Sequence, residues 1–524
     1  MMAGNRKDYI WILTASALIL LWSSIPTWAG YRAQTRELRF RGIYFDSQDY
    51  AVHIATMEAG RQGEWAYQFR FTTESHNPAF VRMFYVVLGH LSKWLGLTSE
   101  FTFQAARWLL GFVALFALYK LMQRVFPDLF WARVAFLLAA LGSGLGWLQL
   151  IFNSVPGRIT PIDFWLIDDY VFFSLSVFPH FVFVTAGMCV ALTLWLDFLE
   201  KPRWTHIVWI GLTAILVQLV NPIAFATVDA GLVGATVFAW WGAKKIRGAD
   251  IIALLIIAIT QVPLFAYNFI VLNNDPLWRQ FTAQNRTLSP PPSYYFWGFA
   301  FFWPLAFLGT HIALRNRSKA LGAVLFWVIV AFILAYAPVY IQRRFLQNIT
   351  IPLAILATTG LISLFERLAI QRPGMPHMQK SWAILFVFLA SISSIQLSLG
   401  RAAYLQTHPE DFYYPVSLDD AIKWFRGNAQ PDDFVLASEE TSQIIAQKAG
   451  LRVYFGHEME TLDYKTKQIN VQAFFRGELP ELAGKPIQWV VYGPFERKLG
   501  VNFRRAENLE QVYETPELQI YRVK

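Results

Sequence analysis

Residues 251–272, IIALLIIAITQVPLFAYNFIVL, are the stretch of sequence that decides the fold class. No charged side chain interrupts it, and about 20 consecutive apolar residues suffice for a helix to cross the hydrocarbon core of a bilayer. Stretches of the same character recur along residues 1–400. The sequence therefore predicts a mostly α-helical, polytopic membrane bundle.

About eleven transmembrane helices are predicted from these stretches. The first, residues 9–29, follows Arg6 and Lys7, and its length predicts an uncleaved anchor rather than a signal peptide. Pro222 is interpreted as the turn of a tight hairpin between two spans. The other predicted spans are residues 101–123, 132–152, 181–199, 207–221, 223–241, 251–272, 295–313, 321–338, 349–364 and 382–399.

The composition agrees with burial in a membrane. Hydrophobic residues make up 55% of the chain and charged residues 15%, whereas soluble domains contain about 25% charged residues. The formal charge is +9, but the Lys and Arg residues lie in short runs between apolar segments, where they indicate topology rather than nucleic-acid binding. The single cysteine, Cys189, excludes an intrachain disulfide and a cysteine-based metal site.

Residues 79–97 are apolar but contain Arg82, His90 and Lys93. The positive-inside rule decides whether this segment crosses, because one additional crossing moves every later loop to the other side. Without a crossing, the basic loops at residues 120–133, 200–204, 244–247, 315–319 and 366–380 all face the cytoplasm. We therefore predict a multi-pass plasma-membrane protein with a cytoplasmic N-terminus, a first outer loop at residues 30–78 with juxtamembrane helices, and an extracytoplasmic C-terminus.

Residues 401–524 form a predicted second domain, distinct from the membrane domain at residues 1–400. Short apolar runs at residues 434–437, 451–455, 488–492 and 518–523 predict strands, and residues 441–449 predict a helix. The pattern indicates a small extracytoplasmic α/β domain. It acts either as a lid or packing module or in acceptor recognition.

The first outer loop contains two carboxylates, Asp46 and Asp49, where an amphipathic helix is predicted to begin. One interpretation is a helix cap with a partner for the helix dipole. The other is a general base that takes the proton of an acceptor hydroxyl at the membrane surface.

A second acidic pair, Asp168 and Asp169, lies in the next outer loop, and His180 follows at the start of an apolar helix. Carboxylates from two loops on one side of the membrane favour an acceptor site or a site for a divalent cation such as Mg²⁺ or Mn²⁺. The alternatives are a solvated loop and a capping histidine.

Four arginines lie on the predicted outer side, where the positive-inside rule disfavours them: Arg279, Arg286, Arg343 and Arg344. A guanidinium group donates two parallel hydrogen bonds to phosphate oxygens, so these residues favour a phosphate-binding site. The alternative is contact with lipid headgroups.

The chain resembles the GT-C class of polyprenyl-phosphate-dependent glycosyltransferases, which includes protein O-mannosyltransferases and aminoarabinose transferases. Asp46 and Tyr50 follow the first span, where members of the class often have an Asp-Glu-x-x-Tyr pattern, although Ser47 replaces the Glu. Further similar features are the segment from Pro78 to Leu95-Gly96, Arg107 at the start of a span, GSGLGW at 142–147, FPH at 178–180, Gln284-Asn285 and YIQRR at 340–344.

This resemblance implies an inverting glycosyltransferase that moves a hexose or pentose from a polyprenyl-phosphate donor to a glycan, lipid or protein acceptor. Asp46 is implied as the catalytic base, with Asp49 in place of the missing Glu, and Arg343 and Arg344 as ligands of the leaving phosphate. The class implies either no cofactor or a divalent cation. Other implied partners are membrane lipids, and nucleic acid is not expected. The alternative function is a transporter or flippase of lipid-linked saccharides, which predicts charges near the bilayer midplane.

Overall fold

The computed structural model describes residues 6–152, 160–371, 378–478, 486–500, 503 and 508–524. Its helices in chain order are α1 Arg6–Ser23, α2 Ile25–Arg32, α3 Ser47–Gln62, α4 Met83–Trp94, α5 Ser99–Val125, α6 Leu129–Leu141, α7 Gly146–Ile151, α8 Val171–Val177, α9 Pro179–Glu200, α10 Trp204–Val220, α11 Phe225–Ala243, α12 Gly248–Asn274, α13 Pro276–Gln284, α14 Pro292–Gly298, α15 Trp303–Asn316, α16 Lys319–Leu334, α17 Thr350–Gln371, α18 Gln379–Ala390, α19 Ile392–Thr407, α20 Pro409–Phe412, α21 Ser417–Asn428, α22 Glu439–Ala449, α23 Tyr464–Phe475 and α24 Pro494–Leu499.

The described residues also contain two 3₁₀ helices, Ile162–Phe164 and Gln342–Leu346, and seven strands. The strands are β1 Leu38–Phe40, β2 Tyr413–Pro415, β3 Phe434–Leu436, β4 Arg452–Val453, β5 Trp489–Tyr492, β6 Leu509–Glu514 and β7 Gln519–Val523. The predicted strands at residues 434–437, 451–455, 488–492 and 518–523 coincide with β3, β4, β5 and β7. The prediction missed β6, in which charged residues interrupt the apolar pattern.

Four of the described helices, α5, α9, α12 and α17, are long and apolar enough to cross a membrane. The number rises to seven if each of the bent pairs α1–α2, α14–α15 and α18–α19 forms one span. Three further apolar helices, α6, α10 and α16, are shorter. Each of the eleven predicted spans overlaps a helix or a helix pair, and their number stays a prediction.

Some predicted spans are not continuous helices. Residues 295–313 correspond to α14 and α15, which meet at 90°. Residues 132–152 divide into α6 and α7 because Gly142 leaves the helical conformation with φ −66° and ψ 142°. An added Cβ on Gly144 would lie 2.3 Å from the carbonyl oxygen of Gly298. The GSGLGW segment thus lets two backbones approach closely.

Helix α4, Met83–Trp94, is the helical part of residues 79–97. It contains 12 residues and is therefore about 18 Å long, whereas the hydrocarbon core measures about 30 Å. This length supports the prediction that the segment does not cross the membrane.

The chain divides into two compact units. The helical unit contains Met1–Ile25, Ala105–Asn268 and Thr287–Arg401, and the mixed unit contains Pro26–Gln104, Phe269–Arg286 and Ala402–Lys524. The predicted boundary at residues 400/401 stays a prediction. The units nevertheless group the first outer loop with the C-terminal segment.

The mixed unit is built around a five-stranded sheet with the order β4-β3-β5-β7-β6. Strand β3 is parallel to β4 and β5, whereas β7 is antiparallel to β5 and β6. Strands β1 and β2 pair separately with Leu38 opposite Pro415. Helix α3 packs on α22 through a core that includes Ala51, Val52 and Ile445. Apolar packing thus places α3, and with it Asp46, against the C-terminal segment.

Candidate active site

Asp46 caps the N-terminus of α3. Its backbone is left-handed with φ 52° and ψ 61°, a conformation that aspartate tolerates better than most residues. Its side-chain oxygen accepts a hydrogen bond from the Asp49 backbone N–H at 3.2 Å. The capping interpretation is confirmed, and the same bond fixes the direction of the Asp46 carboxylate.

Asp49 is paired with a histidine from the other end of the chain. The Asp49 Oδ1 atom lies 3.1 Å from Nε2 of His457, which is buried. The other ring nitrogen, Nδ1, accepts hydrogen bonds from the backbone N–H groups of Met459 at 3.0 Å and Glu460 at 3.2 Å. Since Nδ1 accepts, Nε2 carries the hydrogen and donates it to Asp49.

The loop of residues 456–461 holds His457 in place. Thr461 Oγ1 accepts from the backbone N–H groups of Gly456 at 3.2 Å and His457 at 3.3 Å. Gln284 donates to the carbonyl oxygens of Met459 at 2.7 Å and Thr461 at 3.1 Å. Gln284, one of the residues of the GT-C resemblance, therefore orients the loop that presents His457.

Glu460 ties the same loop to the first outer loop. Its carboxylate accepts a hydrogen bond from Tyr67 at 2.6 Å and forms an ion pair with Arg82. Arg82 also donates to the Tyr67 hydroxyl at 3.2 Å. Both ends of the loop are thus fixed by side chains from the N-terminal part of the mixed unit.

The surroundings raise the pKa of Asp46 to about 7. The largest cause is crowding by protein, which weakens hydration of the carboxylate, and the second is the adjacent negative charge of Asp49; the Asp49 N–H and His457 act in the opposite direction. Asp46 is nevertheless exposed to solvent, which limits the effect of crowding. The negative charge of Asp49 raises the pKa of Asp46 in addition to crowding.

His457 is also shifted. Burial lowers its pKa, but the hydrogen bond and charge of Asp49, with smaller contributions from Glu460 and Asp46, raise the pKa above the ordinary value. The two N–H groups that point at Nδ1 oppose protonation there, because an imidazolium cannot accept them. In the geometry of the structure, the ring hydrogen therefore lies on Nε2, which donates to Asp49, and Nδ1 is the acceptor.

Asp168 and Asp169 are buried in the helical unit, with 6% and 0% of their surfaces exposed. The expectation of a solvated loop is wrong for this pair. The Asp168 carbonyl accepts from the Asn348 N–H at 2.8 Å. Neither carboxylate oxygen of Asp169 has a hydrogen-bond partner among the described residues. Burial raises the pKa of Asp169 well above its usual range, and the Asp168 charge adds to the shift.

Arg343 and Arg344 lie on the short 3₁₀ helix Gln342–Leu346 of the same unit. The Arg343 guanidinium lies over the ring of Trp165, 5.1 Å from its centroid, and its charge partly offsets the upward pKa shift of Asp169. Its Nε atom has no hydrogen-bond partner in the part of the chain that is described. Arg344 is half-buried. The structure thus brings Arg343 into the electrostatic environment of Asp169.

The remaining predicted site residues occupy other positions. Arg279 and Arg286 are exposed residues of the mixed unit, and Arg286 donates to the Ala283 carbonyl at 3.1 Å. His180, in the helical unit, is half-buried, with its ring centroid 4.0 Å from that of Phe181.

Sequence reasoning missed two features. His457 lies 408 positions from Asp49, and no local pattern marks it. The other is a polar group inside the membrane helices: Gln261 donates to both carboxylate oxygens of Asp229 at 3.1 and 3.0 Å and accepts from Gln218 at 3.1 Å. An acidic residue within the predicted span 223–241 was the available signal.

A resident metal ion finds little support in the described residues. They contain no group of three or more His, Cys, Asp or Glu side chains that fits a metal ion. The acidic pairs at 46/49 and 168/169 therefore do not form such a group on their own.

The fold is that of GT-C glycosyltransferases, and the protein is a multi-pass membrane protein. The oligosaccharyltransferase of Archaeoglobus fulgidus has a TM-score of 0.53 at 13% identity, with 98% of this chain and 74% of that chain covered. ArnT from Cupriavidus metallidurans, solved with undecaprenyl phosphate, has a TM-score of 0.52 at 13% identity and covers 99% and 98%. The predicted resemblance is thereby confirmed as a likeness of fold.

A third structure extends the likeness. The arabinofuranosyltransferase AftD from Mycobacteria has a TM-score of 0.54 at 12% identity, covering 99% of this chain and 40% of the longer AftD chain. No family model and no curated protein matches the sequence.

Proposed function

We propose that the protein is an inverting glycosyltransferase that moves a sugar from a polyprenyl-phosphate donor to an acceptor hydroxyl at the outer membrane face. The observation that carries this proposal is the solvent-exposed carboxylate of Asp46, held at the start of α3 by the Asp49 N–H, where its surroundings raise its pKa to about 7. A base with a pKa near the working pH removes a hydroxyl proton most efficiently.

Asp46 accepts the proton of the acceptor hydroxyl as that oxygen attacks the anomeric carbon. The new bond joins the acceptor oxygen to the anomeric carbon, and the bond from that carbon to the phosphate oxygen breaks. The polyprenyl phosphate leaves with the bonding electron pair. Because attack and departure occur on opposite faces, the anomeric configuration inverts. Asp49, held by His457, maintains the direction and the raised pKa of Asp46.

The leaving phosphate requires positive charge, and Arg343 and Arg344 are proposed to supply it. The Nε atom of Arg343, which has no hydrogen-bond partner among the described residues, supports this role, since a guanidinium donates from Nε and Nη together to two phosphate oxygens. Arg279 and Arg286 are exposed and are proposed as weaker phosphate contacts. In the proposed reaction the charge on the leaving phosphate is stabilised by these arginines. An oligosaccharyltransferase of this fold has been solved with zinc and sulfate.

Two structures of this fold contain a lipid phosphate: ArnT was solved with undecaprenyl phosphate, and the archaeal oligosaccharyltransferase was solved with a dolichol-phosphate. These complexes support a polyprenyl phosphate as the donor carrier. We further propose a cytoplasmic N-terminus, an extracytoplasmic C-terminus, and a role for residues 401–524 in acceptor recognition. A transporter is not favoured, because these solved structures are transferases.

The test is sugar transfer by the purified full chain in proteoliposomes, with a panel of radiolabelled polyprenyl-phosphate sugars and crude membrane acceptors. We expect transfer from one donor, with loss of at least 100-fold in Asp46→Asn. The matched control is Asp420→Asn, which changes a carboxylate of α21 whose side chain is 48% exposed and pairs with Lys423 at 3.5 Å. Equal transfer by Asp46→Asn and the intact protein would remove Asp46 as the base.

A further inference from the structure

The mixed unit contains a polar cavity of about 510 Å³. It is lined by the segment after α2, the start of α5, and the region from β2 to the end of α22. This volume lies in the usual range for sites that hold small molecules. The rings of Tyr31, Phe40 and Tyr414 provide apolar wall.

The charges that line this cavity are unbalanced. Its basic residues are Arg39, Arg41, Lys423, Arg426 and Lys448, and its acidic residues are Glu100 and Asp419. The acids are already paired, Glu100 with Lys448 at 2.8 Å and Asp419 with Arg39 at 3.5 Å. The lining therefore has an excess of three positive charges, and low-dielectric walls strengthen the resulting field.

Among the basic residues that line the cavity, Arg41 is buried, and only 5% of its surface is exposed. One guanidinium nitrogen, Nη1, donates to Gln443 Oε1 at 3.0 Å. Its Nε atom has no hydrogen-bond partner among the described residues. Burial lowers the pKa of Arg41, and the more distant carboxylates of Glu440 and Glu439 offset this only in part. A buried guanidinium with an unused N–H donor lowers the stability of the fold unless a ligand accepts a hydrogen bond from it.

The backbone around Arg41 is fixed. The next residue, Gly42, has φ +99°, and a Cβ there would lie 2.6 Å from the Tyr50 hydroxyl oxygen. The Arg41 carbonyl accepts a hydrogen bond from Gln447 at 3.3 Å. The close approach of Gly42 to Tyr50 on one side and the hydrogen bonds with Gln443 and Gln447 on the other thus restrict the position of Arg41. Such restriction before binding is what preorganisation requires.

We propose that this cavity binds an anionic group, a phosphate or carboxylate, with Arg41 as its principal contact. Lys423 and Arg426 supply further positive charge, although Arg426 Nε and Nη2 already donate to the Lys448 carbonyl at 3.1 and 2.6 Å. The group belongs either to a soluble saccharide or to a lipid headgroup, which share this chemistry. Guanidinium groups pair with both anions through parallel hydrogen bonds. The inference goes beyond the transfer reaction and does not depend on it.

The experiment uses the purified full chain and measures binding directly. In detergent, isothermal titration calorimetry compares glucose 6-phosphate and glucuronate with neutral glucose. In nanodiscs, the thermal unfolding midpoint is compared between phosphatidylglycerol and phosphatidylcholine. The test variant is Lys423→Gln with Arg426→Gln, both exposed side chains, and Arg39→Gln is a second variant. Arg36→Gln, an exposed arginine outside the lining, is the matched control.

A soluble ligand gives saturable binding of the anionic sugars, at least tenfold tighter than glucose, weakened at least fivefold in the double variant and unchanged in Arg36→Gln. A lipid ligand gives a higher midpoint in phosphatidylglycerol, and the double variant loses this difference. The proposal is overturned if glucose binds as well as its anionic relatives, or if neither arm responds to the variants.

Discussion

His457 donates its Nε2 hydrogen to Asp49 at 3.1 Å, across 408 positions of sequence. Asp49 in turn supplies the backbone N–H that holds the Asp46 side chain. The C-terminal segment therefore acts on the candidate base through a chain of two hydrogen bonds.

Asp46→Asn should alter the pH dependence of stability. The folded-state pKa of about 7 lies above the ordinary 3.8, so between these values the folded state binds more protons than the unfolded state. Stability then falls as pH rises through this window, and Asn removes that fall while retaining the cap. Because the side chain is partly exposed, we expect a gain of only about 1 kcal/mol at pH 8, and none at pH 4. Thermal unfolding at both pH values measures it; a loss of stability at pH 8 would contradict the shift.

His457→Ala should lower the rate of sugar transfer more than donor affinity. The substitution removes the hydrogen bond that His457 donates to Asp49 from the C-terminal segment, and misplaced catalytic groups cost about tenfold or more in rate. His457→Gln keeps an N–H donor and should restore part of the rate. Steady-state kinetics separates kcat from KM. Equal rates for His457→Ala and the intact protein would show that the contact does not position the site.

Gln284→Ala should loosen the loop of residues 456–461. Two hydrogen bonds to carbonyl oxygens are lost, each contributing about 1 kcal/mol. Hydrogen exchange at the loop amides should become faster. Gln280→Ala, an exposed glutamine of the same helix, is the control. If hydrogen exchange at these amides is unchanged in Gln284→Ala, the other contacts of the loop are sufficient to hold it in place.

Arg344→Ala should reduce transfer by about 100-fold, comparable with the loss of an oxyanion-stabilising group. Arg279→Ala, which changes an exposed arginine, should reduce it much less. Rates with a synthetic donor at saturating concentration measure both. A larger loss of transfer in Arg279→Ala than in Arg344→Ala would place the phosphate site at Arg279 instead.

Asp229→Leu should destabilise the helical unit, because Gln261, which also accepts from Gln218, loses its acceptor among the apolar helices. Interhelical hydrogen bonds in membranes contribute about 0.6 kcal/mol each, and an unpaired buried amide costs about 1–3 kcal/mol. Asp229→Asn retains an acceptor and should unfold close to the intact protein. Thermal unfolding in detergent compares the two, and equal midpoints would show that the cluster is not structural.

The sequence by itself determined the membrane bundle, because the length and apolarity of a membrane-spanning helix are properties of one continuous segment of sequence. It also located Asp46 at a helix start, since capping depends on residues within one turn. Four strands of the mixed unit followed from short apolar runs for the same reason.

Only the tertiary structure decided which distant residues meet. His457 reaches Asp49 because a core containing Val52 and Ile445 packs α3 on α22, and no local pattern records such packing. Likewise, Asp168 and Asp169 are buried and Arg343 is placed near Asp169 by the helices around them. Burial and pKa depend on all neighbours in space, so they are properties of the folded chain and not of any segment.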